Sequence, residues 1–198
     1  MTDTDARRRG RRRLLLIAAI FFTPMLLAWL VYFGPQDLRP EGRTNYGELQ
    51  QPVAPLELAL RDVQDAALAE PWDGKWTLLQ VLPADCDAAC AARVVEMRQL
   101  RKSLHRRRTR VQRLVVLPDA ATAQELAAQW GAEQPFLRYA VLPASDHAAL
   151  AARINQGDAG AVALIDPLGN YVLRYAGEAD LRGMYKDIKR LLKLSNIG

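Results

Sequence analysis

The feature that most constrains this chain is an apolar run of 20 residues, Leu14 to Phe33, broken only by Thr23 and Pro24. A run of that length crosses the hydrocarbon core of a bilayer as a helix. Backbone polar groups find no partners in hydrocarbon, so the segment must be helical there, and Pro24 is tolerated within it. Arg7, Arg8, Arg9, Arg11, Arg12 and Arg13 precede it; set against Asp3 and Asp5, they give the first thirteen residues +4 of the chain's formal +5. The positive-inside rule then keeps the N-terminus in the cytoplasm. Trp29 and Tyr32 lie near the far end, where aromatic rings favour the interface. The run is longer than a signal-peptide core and no small-x-small cleavage site follows Phe33, so it reads as an uncleaved single-pass anchor. In a bacterial cell that places the anchor in the inner membrane and the rest of the chain in the periplasm. The basic excess is thus a topology signal, and nucleic acid is not an expected partner.

The sequence divides into a basic tail (1–13), a transmembrane helix (14–33), a tether (34–55) and one folded domain (56–198). Pro35, Pro40, Gly42, Gly47, Pro52 and Pro55 mark the tether. Leu56 to Leu68 is amphipathic, helical or irregular, and Trp72 to Lys75 reads as a turn. An alternation then begins. The patterning predicts a buried strand over 76–82, a helix from Cys90 to about Arg107, a strand over 111–117, and a helix over 120–130 stopped by Gly131. A strand over 136–142 and a helix N-capped by Ser145 and running to Ile154 form an insertion. Residues 161–165 and 171–175 form a hairpin about the Asp166 to Asn170 turn, and an amphipathic helix spans 180–194. Alternating strands and helices call for a sheet covered on both faces.

Cys86 and Cys90 are the only cysteines. They sit where the first buried strand gives way to a helix, and residues at i and i+4 share a helix face. Such a pair can close a disulfide or hold a soft ion such as Cu(I). A helix start favours the thiolate. Asp85 and Asp87 oppose it by like-charge repulsion, and Arg93 partly offsets them. A dithiol loop after the first core strand, in this order of elements, is the thioredoxin-like order. The fold class is therefore α/β: a thioredoxin-like fold, a central mixed sheet flanked by helices, behind an N-terminal transmembrane helix.

At this point the chain resembles the SCO/SenC family, the membrane-anchored proteins of cytochrome c oxidase assembly. The resemblance rests on the anchor, on Asn45-Tyr46-Gly47-Glu48-Leu49 after it, and on the Gly74-Lys75 turn. It continues through the C-x-x-x-C pair, Leu114 to Pro118, and Leu164-Ile165-Asp166-Pro167-Leu168-Gly169-Asn170. It implies copper as cofactor, held by Cys86, Cys90 and a distant histidine just before the late strand, and an oxidase subunit or assembly intermediate as partner. The matching segment here, Gly157-Asp158-Ala159-Gly160, has no histidine. Asp158 falls at or beside the expected position and is the candidate substitute, although a carboxylate is a hard ligand and a poor replacement for imidazole on Cu(I). The sequence places neither of the chain's two histidines beside the thiols. His105 follows Cys90 by fifteen residues on the same predicted helix, over 20 Å away at about 1.5 Å per residue. Nothing in the sequence brings His147 to the thiols, and histidine is commonly a polar surface residue.

The resemblance therefore implies an assembly factor whose C-x-x-x-C dithiol serves as a thiol–disulfide reductant or Cu(I) carrier for the oxidase copper site. The alternative is a membrane-tethered scaffold with a structural disulfide, using as its contact the basic stretch that includes Arg106, Arg107 and Arg108. No Ser-His-Asp set, phosphate loop or zinc-like spacing points to a hydrolase or transferase.

Overall fold

A computed structural model describes residues 3–33, 45–158, 160–195 and 197. The chain forms two compact units, 1–44 and 45–198. The first is a helix, α1 (Asp3–Phe33), which extends back through the arginine-rich tail. Its segment Gly10–Leu30 is long and apolar enough to cross a membrane. Residues 34–44 of the expected tether lie outside the described residues.

The second unit holds a six-stranded sheet. Its strands are β1 (Glu48–Pro55), β2 (Trp76–Val81), β3 (Val111–Leu117), β4 (Leu137–Val141), β5 (Val162–Ile165) and β6 (Asn170–Tyr175), in the spatial order β1-β6-β5-β2-β3-β4. β2, β3 and β4 are parallel, β5 runs antiparallel to β2, and β6 runs antiparallel to β5. The sheet is mixed, as expected. Central β2 and β3 are buried along their whole length, which is why both read as near-continuous apolar runs.

Side chains alternate between the two faces with the strand period of two. Leu79, Val81, Leu114, Val116, Ala163 and Ile165 pack on one face beneath α4 (Ala144–Ile154). On the other, Leu78, Leu164 and Leu173 meet α2 (Ala88–Ser103) and α5 (Leu181–Leu194), while Val115 and Leu117 meet α3 (Ala120–Trp130).

The structure corrects or completes the sequence reading at several places. Glu48–Pro55, read as tether, is edge strand β1, antiparallel to β6 with a register shift between Leu49 and Ala54. An edge strand pairs on one side only and so admits prolines, which masked it. Leu56 to Leu68 is irregular; it buries Leu56 and Leu60, and Arg61 exchanges backbone hydrogen bonds with Val141 along the outer side of β4. The N-cap of α4 is Pro143 rather than Ser145. Finally, α2 stops at Ser103, and a 3-10 helix (His105–Arg110) leads into β3.

One buried carboxylate fastens the start of the domain. Asp187 on α5 is 3 % exposed. It accepts the backbone N–H groups of Tyr46 and Gly47, each at 2.9 Å, and the Tyr175 hydroxyl at 3.3 Å.

Candidate functional site

β2 and β3 end, β5 begins and β6 finishes at one edge of the sheet. Cys86 lies in the loop that leaves β2 at this edge, and Cys90 lies in the first turn of α2. The two are joined by a disulfide, with Cα atoms 5.4 Å apart. Their environments differ. Cys86 is half-buried, whereas Cys90 is 5 % exposed and packs with Leu82, Val94 and Leu117. Asp87 is the N-cap of α2: its carboxylate accepts the Cys90 N–H at 2.8 Å, which fixes the first turn at the bridge.

Arg93, one turn beyond Cys90, does not turn its charge toward Asp85 and Asp87. It is 5 % exposed. Its guanidinium donates to the carbonyls of Gly160 (3.2 Å), Ala176 (3.0 Å) and Ala179 (3.3 Å), and to Glu96 at 2.7 Å. It thereby ties α2 to the loops before β5 and after β6. The sequence signal for this role was faint: a lone arginine amid the apolar positions of a helix, two of whose carbonyl partners lie more than 80 residues away.

Asp158 sits between those same two loops. One carboxylate oxygen accepts the Gly160 N–H at 3.0 Å and the other accepts the Gly177 N–H. The loops approach so closely that a Cβ on Gly160 would lie 2.9 Å from the Gly177 Cα, so the position needs glycine. Both Asp158 oxygens are thus engaged with backbone amides.

His147 is not a surface residue. It is 8 % exposed, and its Nε2 lies 2.9 Å from the carbonyl oxygen of Leu82, at the point where the chain leaves β2 for the cysteine loop. One ring nitrogen is therefore committed to the backbone. His105 begins the 3-10 helix at the far end of α2. Among the described residues, no group of three His, Cys, Asp or Glu side chains could hold a metal ion. The site consists of two sulfurs braced by backbone-directed polar side chains, and it does not fit a three-ligand copper centre.

The fold has clear relatives. Yeast Sco1 superimposes with a TM-score of 0.60 at 16 % identity, over 74 % of this chain and 98 % of that one. Arabidopsis thaliana ScoI with copper bound gives 0.57 at 12 % identity, over 71 % and 99 %. BsSco, described as a cytochrome c oxidase assembly protein with a disulfide switch, gives 0.52 at 17 % identity, over 74 % and 100 %. At these identities the likeness is one of fold, and at that level it bears out the resemblance seen in the sequence. No curated protein sequence matches the chain. Family models match twice: residues 4–34 fit a transmembrane-like N-terminal domain, and residues 76–195 fit a transmembrane-like, thioredoxin-like C-terminal domain. With an apolar helix ahead of a mixed sheet that carries a Cys86–Cys90 bridge at its edge, this chain belongs to the transmembrane-like, thioredoxin-like family.

Proposed function

We propose that this protein is a membrane-tethered assembly factor of SCO/SenC type, acting on a cytochrome c oxidase subunit or assembly intermediate by thiol–disulfide exchange through Cys86 and Cys90. The observation that carries this reading is the asymmetry of the bridge: one sulfur half-buried at a loop, the other buried at a helix start. A bridge across so short a loop restricts the unfolded chain by only about 2 kcal/mol, toward the low end for disulfides. Stability alone is a weak reason for its placement at this edge.

The exchange runs as follows. In the reduced protein, the Cys86 thiolate attacks one sulfur of a client disulfide, forming a mixed disulfide and releasing the client's other sulfur as a thiolate. Cys90, held against Cys86 by the first turn of α2, then attacks the Cys86 sulfur. The client leaves with both thiols reduced, and the Cys86–Cys90 bridge is restored. An external dithiol donor returns the pair to the reduced state. Fixing the first turn through Asp87 keeps Cys90 positioned for the second, intramolecular attack.

The positive tail and apolar helix support a cytoplasmic N-terminus, with the domain beyond the inner membrane in the periplasm. Copper enters as cargo rather than as a resident group. The two thiolates of the reduced pair supply soft donors for Cu(I), and a third donor would come from the client.

The test is a trapping experiment in cells that assemble the oxidase. Cys90→Ser should accumulate a mixed disulfide between Cys86 and a client, and Cys86→Ser should not. Oxidase assembly should fall in both. Full assembly with Cys86→Ser would overturn the proposal. Cysteine-dependent one-to-one Cu(I) binding by the reduced protein, without a trapped client, would assign the pair to copper delivery.

A further inference from the structure

A second site lies away from the sulfurs, where the end of α2, the 3-10 helix and the loop before β4 meet. It is a pocket of about 300 Å³, lined by Arg98, Arg101, Lys102, Arg108 and Arg113 together with Thr109, Pro135 and Phe136. That volume is at the lower end for small-ligand sites. Five cations face it, and none of them makes an ion pair with a carboxylate among the described residues.

Cations at a helix C-terminus commonly just complement its dipole. Arg113 does not fit that account. It sits within β3, and its side chain is 2 % exposed. Its Nη1 donates to Gln134 Oε1 at 2.9 Å and its Nη2 to the Pro135 carbonyl at 2.8 Å, while its Nε has no partner. Both acceptors are neutral. A buried guanidinium without a counter-ion is costly, and here burial, followed by repulsion from Arg101 and Arg98, brings its pKa down to about 10.

The neighbouring arginines are themselves anchored to backbone carbonyls. Arg98 donates to the Glu133 carbonyl, and its Nε is also buried without a partner. Arg101 is anchored through its Nε to the Val111 carbonyl at 2.6 Å, and it stacks 5.4 Å from the ring centroid of Phe136. Phe136 is 77 % exposed and has φ of 64°. A bulky residue in the left-handed region is a strained position, and here it builds a wall of the pocket.

We infer that this pocket binds a phosphate group, free or as a lipid headgroup, with Arg113 at its floor and Arg101 and Arg108 at its rim. Arginine's planar fork suits phosphate oxygens, and several guanidiniums together neutralise a multiply charged anion. The inference does not depend on the redox role of Cys86 and Cys90.

The test uses the full chain in dodecyl maltoside micelles, a detergent without phosphate. Inorganic phosphate is titrated calorimetrically at constant ionic strength. Saturable one-to-one binding is expected, weakened at least tenfold by Arg101→Gln/Arg108→Gln. It should be unchanged by Arg190→Gln/Lys193→Gln, which removes the same charge from the exposed face of α5. These variants leave Arg113 in place and so avoid a buried substitution. Absence of saturable binding, or equal weakening by both pairs, would overturn the inference. Glycerophosphoglycerol then separates the sources: tighter binding than inorganic phosphate assigns a lipid headgroup, and weaker binding assigns free phosphate.

Discussion

Asp158 is where chemistry and structure are most easily confused. By position it stands where a metal-binding imidazole is expected, and by contact it is a loop brace. Its two oxygens accept the amides of Gly160 and Gly177, and Arg93 clamps the same two loops from α2 through the carbonyls of Gly160, Ala176 and Ala179. Charge-assisted bonds of this kind are worth more than neutral ones. Asp158→Ala should therefore lower stability by about 2 kcal/mol, read as a fall in melting temperature. It should leave the Cu(I) affinity of the reduced protein within twofold of wild type. A tenfold or larger loss of Cu(I) affinity would instead make Asp158 a ligand.

At the scale of elements, α2 shows how a site is set by its helix start. Asp87 caps the helix by accepting the Cys90 N–H, so Asp87→Ala should cost about 1 kcal/mol and Asp87→Asn much less, since asparagine caps as well as aspartate. The comparison is made by thermal unfolding, and equal losses would deny the capping role. The helix expected from Cys90 begins at Ala88, within the usual blur of element ends. The buried strands β2, β3 and β5 were legible because both faces are covered and most of their residues are apolar, Thr77, Gln80, Gln112 and Arg113 being the exceptions. β1 was not, because an edge strand carrying Pro52 and Pro55 has neither alternation nor an apolar run. The cysteine pair was legible from position alone. The work of Arg93, Asp158 and His147 was not, because each has at least one backbone partner contributed from another element of the chain.

Across the whole domain, ionisable side chains are packed into the core, and this sets how the fold responds to alkali. Tyr171 is 1 % exposed, and burial is the main cause that raises its pKa to about 12. Burial, reinforced by the Asp187 carboxylate, pushes Tyr175 well above its ordinary value. Both phenols keep their protons in the fold beyond pH 10, where the unfolded chain loses them. The unfolded state then binds fewer protons, so the stability these groups supply below pH 10 is lost as pH rises toward 12. Arg113 acts in the opposite sense: its folded pKa of about 10 lies below its ordinary value, so the unfolded chain holds that proton longer and part of the loss is offset. Burial shifts Tyr139 in the same sense as the other two tyrosines and Arg101 in the same sense as Arg113, so three phenols against two guanidiniums leave a net fall. The Tyr171 hydroxyl has no hydrogen-bond partner among the described residues, so Tyr171→Phe discards no bond. It should leave stability at pH 8 unchanged or slightly higher, and it should flatten the alkaline fall, because one proton fewer separates the two states. Melting temperatures of the two proteins from pH 8 to pH 12 measure both effects. Parallel curves would mean that Tyr171 titrates alike in the folded and unfolded chain.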